Sequence, residues 1–204
     1  MIESIFRIPF YKVYLDIDNK PLVSLSKKLL KQNRIRNLSV LGGTQSDEIS
    51  GKDKEVNTLA QLIVKHSKVF AKQVGLTEQL TIGSMWANVG GYKDCHRVHH
   101  HPHSLIGGVY YVSAPKDCGN IRFYHPYYET MQYDWNTSTL NKPNEYSYGS
   151  RDLEAATGWL YLFPNWLNHS VEPNLNKNKS VFLSLLICLK IYDTKFISSS
   201  CICQ

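Results

Sequence analysis

A histidine-rich segment in the middle of the chain holds the residues best suited to chemistry. Five of the eight histidines fall within residues 96–103, in the run DCHRVHHHPHSLIGGVYYV. Alternate side chains of an extended segment share a face, so we expect His99 and His101 to point the same way. His100 should then point away, and Pro102 should end regular strand pairing. The pair is therefore a candidate for binding one metal ion.

A third histidine follows a predicted strand much later in the chain. His169 follows an apolar run and a Pro-Asn turn in GWLYLFPNWLNHSVEP. Imidazole favours Fe, Zn, Cu or Ni, and three protein ligands on one side of an ion leave positions open for exogenous ligands. We therefore predict His99, His101 and His169 as metal ligands and catalytic residues. The alternative is a histidine-rich surface loop that binds nickel or zinc adventitiously.

The first part of the chain is predicted to contain one strand and two supporting helices. Residues 5–17 alternate loosely, which indicates an opening strand with a bend near Pro9. Residues 21–33 have apolar residues at helical spacing, and residues 56–74 form a longer amphipathic run. Gly75 is a plausible C-terminal cap of this second helix.

After residue 75 the pattern changes to short β-rich runs separated by Gly, Pro, Asn and Asp. These runs are QLTIGSMWANV, LIGGVYYVSA, NIRFYHP, GWLYLFP and KSVFLSLLICLKIY. Several short strands after helices predict a mainly β fold with N-terminal helices (α+β), closed as an antiparallel barrel or jelly roll. We expect one domain over residues 1–204, with a strand and helices in 1–75, a barrel core in 76–192 and a tail in 193–204.

Composition and charge limit the class of protein. The chain has 204 residues, of which 43% are hydrophobic and 20% charged, and this is typical of one globular domain. Neither a signal peptide nor a membrane span is evident. The five cysteines cannot all pair within the chain and form no CxxC motif, which favours a reducing, cytoplasmic setting.

The net charge of +6 comes from the first 75 residues, which carry 13 Lys and Arg against 7 Asp and Glu. These basic residues fall mostly on the predicted solvent sides of helices and lack the interleaved aromatics of a base-stacking surface. A solvated face is favoured over a nucleic-acid partner. The sequence leaves a homodimer open.

Several motifs together resemble a known family. They are W-x-N (Trp86, Asn88), H-x-H-P-x-S (from His99), GVYYV, CGNIRFYHP and G-x-L-x-LFP-x-W-x-x-H-x-V-x-P, with LGGTQS upstream. In order and spacing they resemble a group of 2-oxoglutarate/Fe(II) oxygenases common in phages and marine bacteria. The resemblance implies a double-stranded β-helix, a cupin-like barrel. It also implies cytoplasmic location, in the infected host cell if the protein is phage-encoded.

The resemblance also implies an activity and a set of cofactors. The cofactors would be Fe(II), the co-substrate 2-oxoglutarate and dioxygen, and an unidentified substrate would be oxidised, most simply hydroxylated, with release of succinate and CO2. In the wider superfamily a carboxylate stands where this chain has His101. The metal site would then have one negative charge fewer than the usual arrangement.

Further residues are implied to bind 2-oxoglutarate. The superfamily places a cation about ten residues after the last histidine, and Lys179 stands there, with Lys177 as a competitor. Tyr111, in preference to Tyr110, is expected to bind the same carboxylate of the co-substrate. Ser184 and Asn88 are expected to contribute polar contacts.

The substrate itself is not encoded in these motifs. The segment 126–157 is rich in Tyr and Trp and is a candidate lid over the substrate, although the same aromatics can simply cover the barrel mouth. Two other classes of function remain open. One is a three-histidine cupin-like metal dioxygenase that does not use 2-oxoglutarate, and the other is a non-catalytic module that binds metal or nucleic acid.

Overall fold

The computed structural model describes residues 2–32, 40–49, 54–136 and 138–189. Within these ranges the helices are α1 (Lys20–Gln32), α2 (Lys54–Val74) and α3 (Tyr128–Asp134). The strands in the same ranges are β1 (Tyr11–Tyr14), β2 (Val40–Leu41), β3 (Thr44–Gln45), β4 (Leu80–Gly90), β5 (Cys95–His99), β6 (Ile106–Ser113), β7 (Ile121–Tyr124), β8 (Ser150–Leu153), β9 (Trp159–Pro164), β10 (His169–Val171) and β11 (Ser180–Leu189).

The strands form two antiparallel sheets. The larger sheet has the order β1-β9-β6-β11-β4-β3, and the smaller has the order β2-β5-β10-β7-β8. Sequence neighbours rarely lie side by side, so the chain crosses repeatedly from one sheet to the other, as in a jelly roll. The predicted fold class, a mainly β barrel with N-terminal helices, is confirmed.

The larger sheet is buried on both faces, and this explains the nearly continuous apolar sequence of β11. On one face it packs against α1 and α2 in a helix-side cluster that includes Leu22, Leu59, Ile63, Phe70, Ala87, Leu160, Leu183 and Leu185. On the other face it meets the smaller sheet in an inner cluster of Val109, Tyr111, Cys118, Ile121, Phe123, Ala155, Tyr161, Phe163, Leu167 and Phe182. The metal-binding candidates adjoin this inner cluster.

Helix α2 covers the larger sheet because its apolar residues recur at helical spacing. Leu59, Ile63 and Phe70 are almost fully buried on its sheet-facing side. Gly75 follows the last helical residue with φ of +77°, a left-handed conformation that favours glycine at a helix C-terminus. The predicted end of this helix is therefore confirmed.

The opening strand is shorter than its sequence pattern suggested. Only Tyr11–Tyr14 pairs with the sheet, alongside β9, while Ile5 and Phe6 are largely exposed. Pro9 precedes the paired stretch and has no N–H to donate to a neighbouring strand, which is consistent with pairing that begins after it. The strand therefore lies at the edge of the larger sheet.

Two further observations concern membrane-spanning helices and the C-terminal residues. Among the described residues, none of the helices combines the length and apolar character needed to cross a lipid bilayer. The predicted tail, 193–204, lies outside the described residues, as do residues 190–192 of the predicted barrel core.

Candidate metal centre

Three histidines meet at one end of the smaller sheet. His99 is the last residue of β5, and His169 is the first residue of β10 and pairs directly opposite it. His101 lies two residues beyond the end of β5, where its N–H donates to the carbonyl oxygen of Asn165. The expectation that His99 and His101 lie on one strand is thus only half met, because regular pairing stops at His99, before Pro102. The two side chains nevertheless converge.

The geometry of the three side chains suits a single ion. One nitrogen from each of His99, His101 and His169 lies within 4.8 Å of the other two. The ring centroid of His99 lies 4.4 Å from that of His169 and 4.9 Å from that of His101. Nitrogens this close together can share one ion. His100, as expected, points away and is exposed.

Backbone carbonyls orient two of these rings. The Nδ1–H of His99 donates to the carbonyl oxygen of Arg97 at 2.7 Å. The Nδ1–H of His169 donates to the carbonyl oxygen of Leu167 at 2.9 Å. Because a carbonyl only accepts, the proton must be on Nδ1, and the Nε2 lone pair is left for a metal. The local chain thus selects the tautomer that ligation requires.

Burial keeps these histidines neutral. It lowers the pKa of His101 to about 4, with a further contribution from neighbouring His99. Burial likewise holds the pKa of His169 well below its usual range and lowers that of His99. A metal competes with protons for imidazole nitrogen, so neutral rings bind metal without first losing a proton.

Asn165 fastens the segment that carries His101. Its side-chain Nδ2 donates to the carbonyl oxygen of His101 and to the hydroxyl of Ser104, and its backbone N–H donates to the carbonyl oxygen of Leu105. Gly107 leaves room for this side chain, because a Cβ there would come within 2.7 Å of the Asn165 Oδ1. Asn165 therefore fixes the backbone of His101 beside the other two histidines.

Replacing Asn165 by alanine should weaken metal binding without removing a ligand. The carbonyl of His101 would lose its side-chain donor, and we expect about 10-fold lower affinity for Co(II), at the low end of what outer contacts contribute. Titration of the metal-free protein with Co(II), followed by its visible absorption, measures this effect. Asn168→Ala, an exposed change in the same turn, is the control. Equal affinities of the two variants would contradict the role of Asn165.

The histidines open into a narrow cavity between the two sheets. About 20 Å³ of it is accessible to the centre of a water molecule, which is room for about one water, so side chains must rotate to admit a larger ligand. Its lining residues are His96, His99, His101, Gly108, Val109, Tyr111, Ile121, Phe163, His169, Val171, Phe182 and Ser184. Polar and apolar residues therefore contribute equally to the lining, with the four histidines as its largest polar group.

Two of the predicted co-substrate residues line this cavity, and a third lies behind it. The hydroxyl of Tyr111 is fully buried without a hydrogen-bond partner, and burial raises its pKa well above the usual range, so it remains a donor. Ser184 accepts a 2.9 Å hydrogen bond from Asn88 Nδ2, while the Oδ1 of buried Asn88 has no partner. Tyr110 points to the opposite face, where its hydroxyl donates to Asn19.

The structure does not bring Lys179 to the histidines. Both Lys179 and Lys177 are exposed and lie outside the cavity lining. Lys179 directly precedes β11, which begins at Ser180. The spacing of ten residues after His169 thus leads to the start of β11, but it does not determine the direction of this side chain.

His96 is the cavity residue that the sequence reasoning missed. Its ring centroid lies 6.2 Å from that of His99 and 5.4 Å from that of Phe182. On β10, His169 pairs with His99 but Val171 pairs with His96, so β5 contains an extra residue here. Such a bulge re-aims a side chain, and it turns His96 and His99 into the same cavity. Simple alternation had placed them on opposite faces.

The aromatic segment 126–157 begins at the metal-bearing end of the smaller sheet. It follows β7, whose Phe123 pairs with His169. Helix α3 within it has no buried residue. The large hydrophobic side chains that the segment 126–157 exposes are Tyr127, Tyr133, Trp135, Tyr146 and Tyr148.

Comparison with known proteins identifies the family. Residues 84–185, half of the chain, match the profile of a family described as "Putative 2OG-Fe(II) oxygenase". The chain therefore belongs to the 2-oxoglutarate/Fe(II) oxygenases. It is an oxidoreductase whose metal is iron, whose co-substrate is 2-oxoglutarate and whose oxidant is dioxygen. The search of proteins with curated functions gave no significant sequence match.

Solved structures share the fold at low sequence identity. A prolyl-4-hydroxylase from Pseudomonas putida is similar with a TM-score of 0.61 at 12% identity, over 90% of this chain and 94% of that one. HygX from Streptomyces hygroscopicus, solved with nickel and 2-oxoglutarate, gives 0.60 at 10%, over 91% and 84%. The viral collagen prolyl hydroxylase vCPH from Paramecium bursaria chlorella virus-1, a 2-oxoglutarate complex, gives 0.56 at 12%, over 89% and 96%. The double-stranded β-helix is thus established.

Proposed function

We propose that His99, His101 and His169 hold Fe(II), and that the protein hydroxylates a substrate that enters beneath the segment 126–157. The convergence of three neutral histidine nitrogens within 4.8 Å, in a cavity between the sheets, carries this proposal. The donor set suits Fe(II), and an ion held by the three histidines would border the cavity. Fe(II) with 2-oxoglutarate supplies the activation of dioxygen that oxidises a C–H bond and releases succinate and CO2.

The residues around the metal centre suit a dianionic co-substrate. The three histidines contribute no charge, so a bound Fe(II) keeps both positive charges, and these match the two negative charges of 2-oxoglutarate. The hydroxyl of Tyr111, which has no hydrogen-bond partner, and the hydroxyl of Ser184 are among the polar groups that line the cavity. An unpaired buried donor is costly, and a ligand carboxylate would satisfy it.

The apolar part of the lining supports the oxidation by excluding water. Val109, Ile121, Phe163 and Phe182 surround the histidines and leave little free space. A dry site prevents side reactions of reactive species and strengthens electrostatic contacts. The exposed aromatics of the segment 126–157 would then cover and orient the substrate at the mouth.

The cellular setting is a further part of the proposal. Among the described residues, Cys95 and Cys118 are free thiols, and this supports the reducing environment of the cytoplasm. A phage origin and a homodimer stay predictions from the sequence.

Anaerobic binding and turnover test the proposed function. With Fe(II) and 2-oxoglutarate, we expect the visible charge-transfer absorption of a chelated 2-oxo acid, and on admission of air a slow, substrate-independent formation of succinate. The control is protein treated with a chelator, which should give neither signal. Metal binding without any response to 2-oxoglutarate would contradict the proposal and indicate a three-histidine dioxygenase of another kind.

A further inference from the structure

The cavity contains polar residues but no cation among its lining residues. Two methylene groups separate the keto acid of 2-oxoglutarate from its second carboxylate, so this distal carboxylate must lie inside the protein, away from the ion. Neither Lys179 nor Lys177 lines the cavity. Arg122, on the neighbouring strand, is held by Asp152 at 2.6 Å and by Glu172 at 2.5 Å. In the described part of the chain, the groups that receive the distal carboxylate must therefore be sought among the neutral donors.

His96 and Tyr111 are the two ring donors next to this space. Both pack against Phe182 on β11, with ring centroids 5.4 Å and 6.0 Å away respectively. The bulge in β5 turns His96 into the cavity, yet its nitrogens fall outside the three-histidine group. His96 thus lines the cavity next to Phe182, beside the three histidines but not as one of them.

We propose that His96, together with Tyr111, receives the distal carboxylate of 2-oxoglutarate, in the place where a lysine or arginine was expected. This inference rests on the proposed function of the site. The N–H of a neutral imidazole and the O–H of Tyr111 each donate a hydrogen bond to the carboxylate, and hydrogen bonds to a charged group are among the stronger ones. The hydroxyl of Ser184 is on the same face of β11.

Charge balance explains why a neutral donor suits this chain. Fe(II) with three neutral histidines and the dianion of 2-oxoglutarate already sum to zero. A buried lysine or arginine would leave one positive charge unpaired, and an unpaired buried charge is costly. An imidazole ring can donate this hydrogen bond without adding a charge. With a histidine instead of a carboxylate at position 101 and instead of a cation at position 96, the charges of Fe(II) and 2-oxoglutarate balance each other.

Paired ligands that differ only in the distal carboxylate test the inference. Affinities of the Mn(II)-loaded protein for 2-oxoglutarate and for 2-oxopentanoate, which has a methyl group instead of that carboxylate, are measured by calorimetry. His96→Ala should weaken binding of 2-oxoglutarate about 10- to 100-fold and leave that of 2-oxopentanoate within about twofold. His96→Gln, which keeps an N–H donor, should recover part of the loss. His100→Ala, an exposed neighbour, is the matched control.

Other outcomes separate this inference from the proposed function. If the ratio of the affinities for 2-oxoglutarate and 2-oxopentanoate is the same in His96→Ala as in the unchanged protein, the inference fails although the proposed function stands. It also fails if Lys179→Ala abolishes the discrimination, or if His96→Ala lowers the Mn(II) affinity itself, since His96 would then be a metal ligand. If the unchanged protein binds Mn(II) but not 2-oxoglutarate, both fail.

Discussion

Replacing His169 by alanine is expected to lower the affinity of the protein for Mn(II), a redox-stable substitute for Fe(II), more than about 100-fold. Loss of an outer contact to a ligating histidine already costs about 10- to 100-fold, and loss of the ligand itself costs more. His169 is buried and its Nε2 is directed to the shared centre by its bond to Leu167. Calorimetric titration with Mn(II) measures the change, and succinate formation should disappear with it.

The matched control for this experiment is His100→Ala. His100 belongs to the same histidine-rich run but is exposed, so its removal should leave the Mn(II) affinity within about twofold. Thermal unfolding of both metal-free variants separates loss of a ligand from loss of the fold. A folded His169→Ala variant that binds Mn(II) as tightly as the unchanged protein would refute the assignment of this residue.

The metal-free protein should lose several kcal/mol of its free energy of unfolding as the pH falls from about 6.5 to about 4. In the unfolded chain histidines take up protons near pH 6.5. In the folded chain, burial lowers the pKa of His96 and His101 to about 4 and that of His169 still further. Between these values the unfolded state binds more protons, so acid favours unfolding, and the stabilisation is complete only above pH 6.5.

Urea unfolding at several pH values, with a chelator present, measures this dependence. Each pKa unit corresponds to about 1.4 kcal/mol, so even part of the combined shift is a large fraction of the 5–15 kcal/mol typical of a domain. His101→Asn should flatten the curve between pH 6.5 and 4, and His100→Ala should not. A free energy of unfolding that is constant over this pH interval would show that the histidines are not held neutral.

The fold was largely predictable from the sequence because its main elements bury long, regular apolar patterns. Helix α2 and strands β4, β6 and β9 lie within two residues of where periodicity placed them, and β11 begins one residue after its predicted start. The short elements escaped prediction. Strands β2, β3, β8 and β10 have two to four residues each, and they exist only because a neighbouring strand supplies their hydrogen bonds.

The metal centre was predictable to a similar extent, and its inner surroundings were not. His99, His101 and His169 could be selected by residue type and strand-end position, and the structure brings them together. His96 was missed because a bulge adds one residue to β5 and so turns His96 to the same face as His99. The run CHRVH contains no sequence signal for this bulge. The prediction of Lys179 relied on distance along the chain, which does not determine the direction of a side chain, and in the structure Lys179 is exposed outside the cavity lining.

The larger sheet is a wall shared by two separately packed clusters, and this has a consequence for how the protein can evolve. Substitutions in the helix-side cluster, such as at Leu59 or Leu183, alter stability on the far side of the wall from the cavity. Substitutions in the inner cluster, such as at Phe182, reshape the space around the co-substrate at the same time. Stabilising substitutions in the helix-side cluster can therefore compensate for destabilising substitutions in the inner cluster. The substrate specificity can then change without loss of the fold.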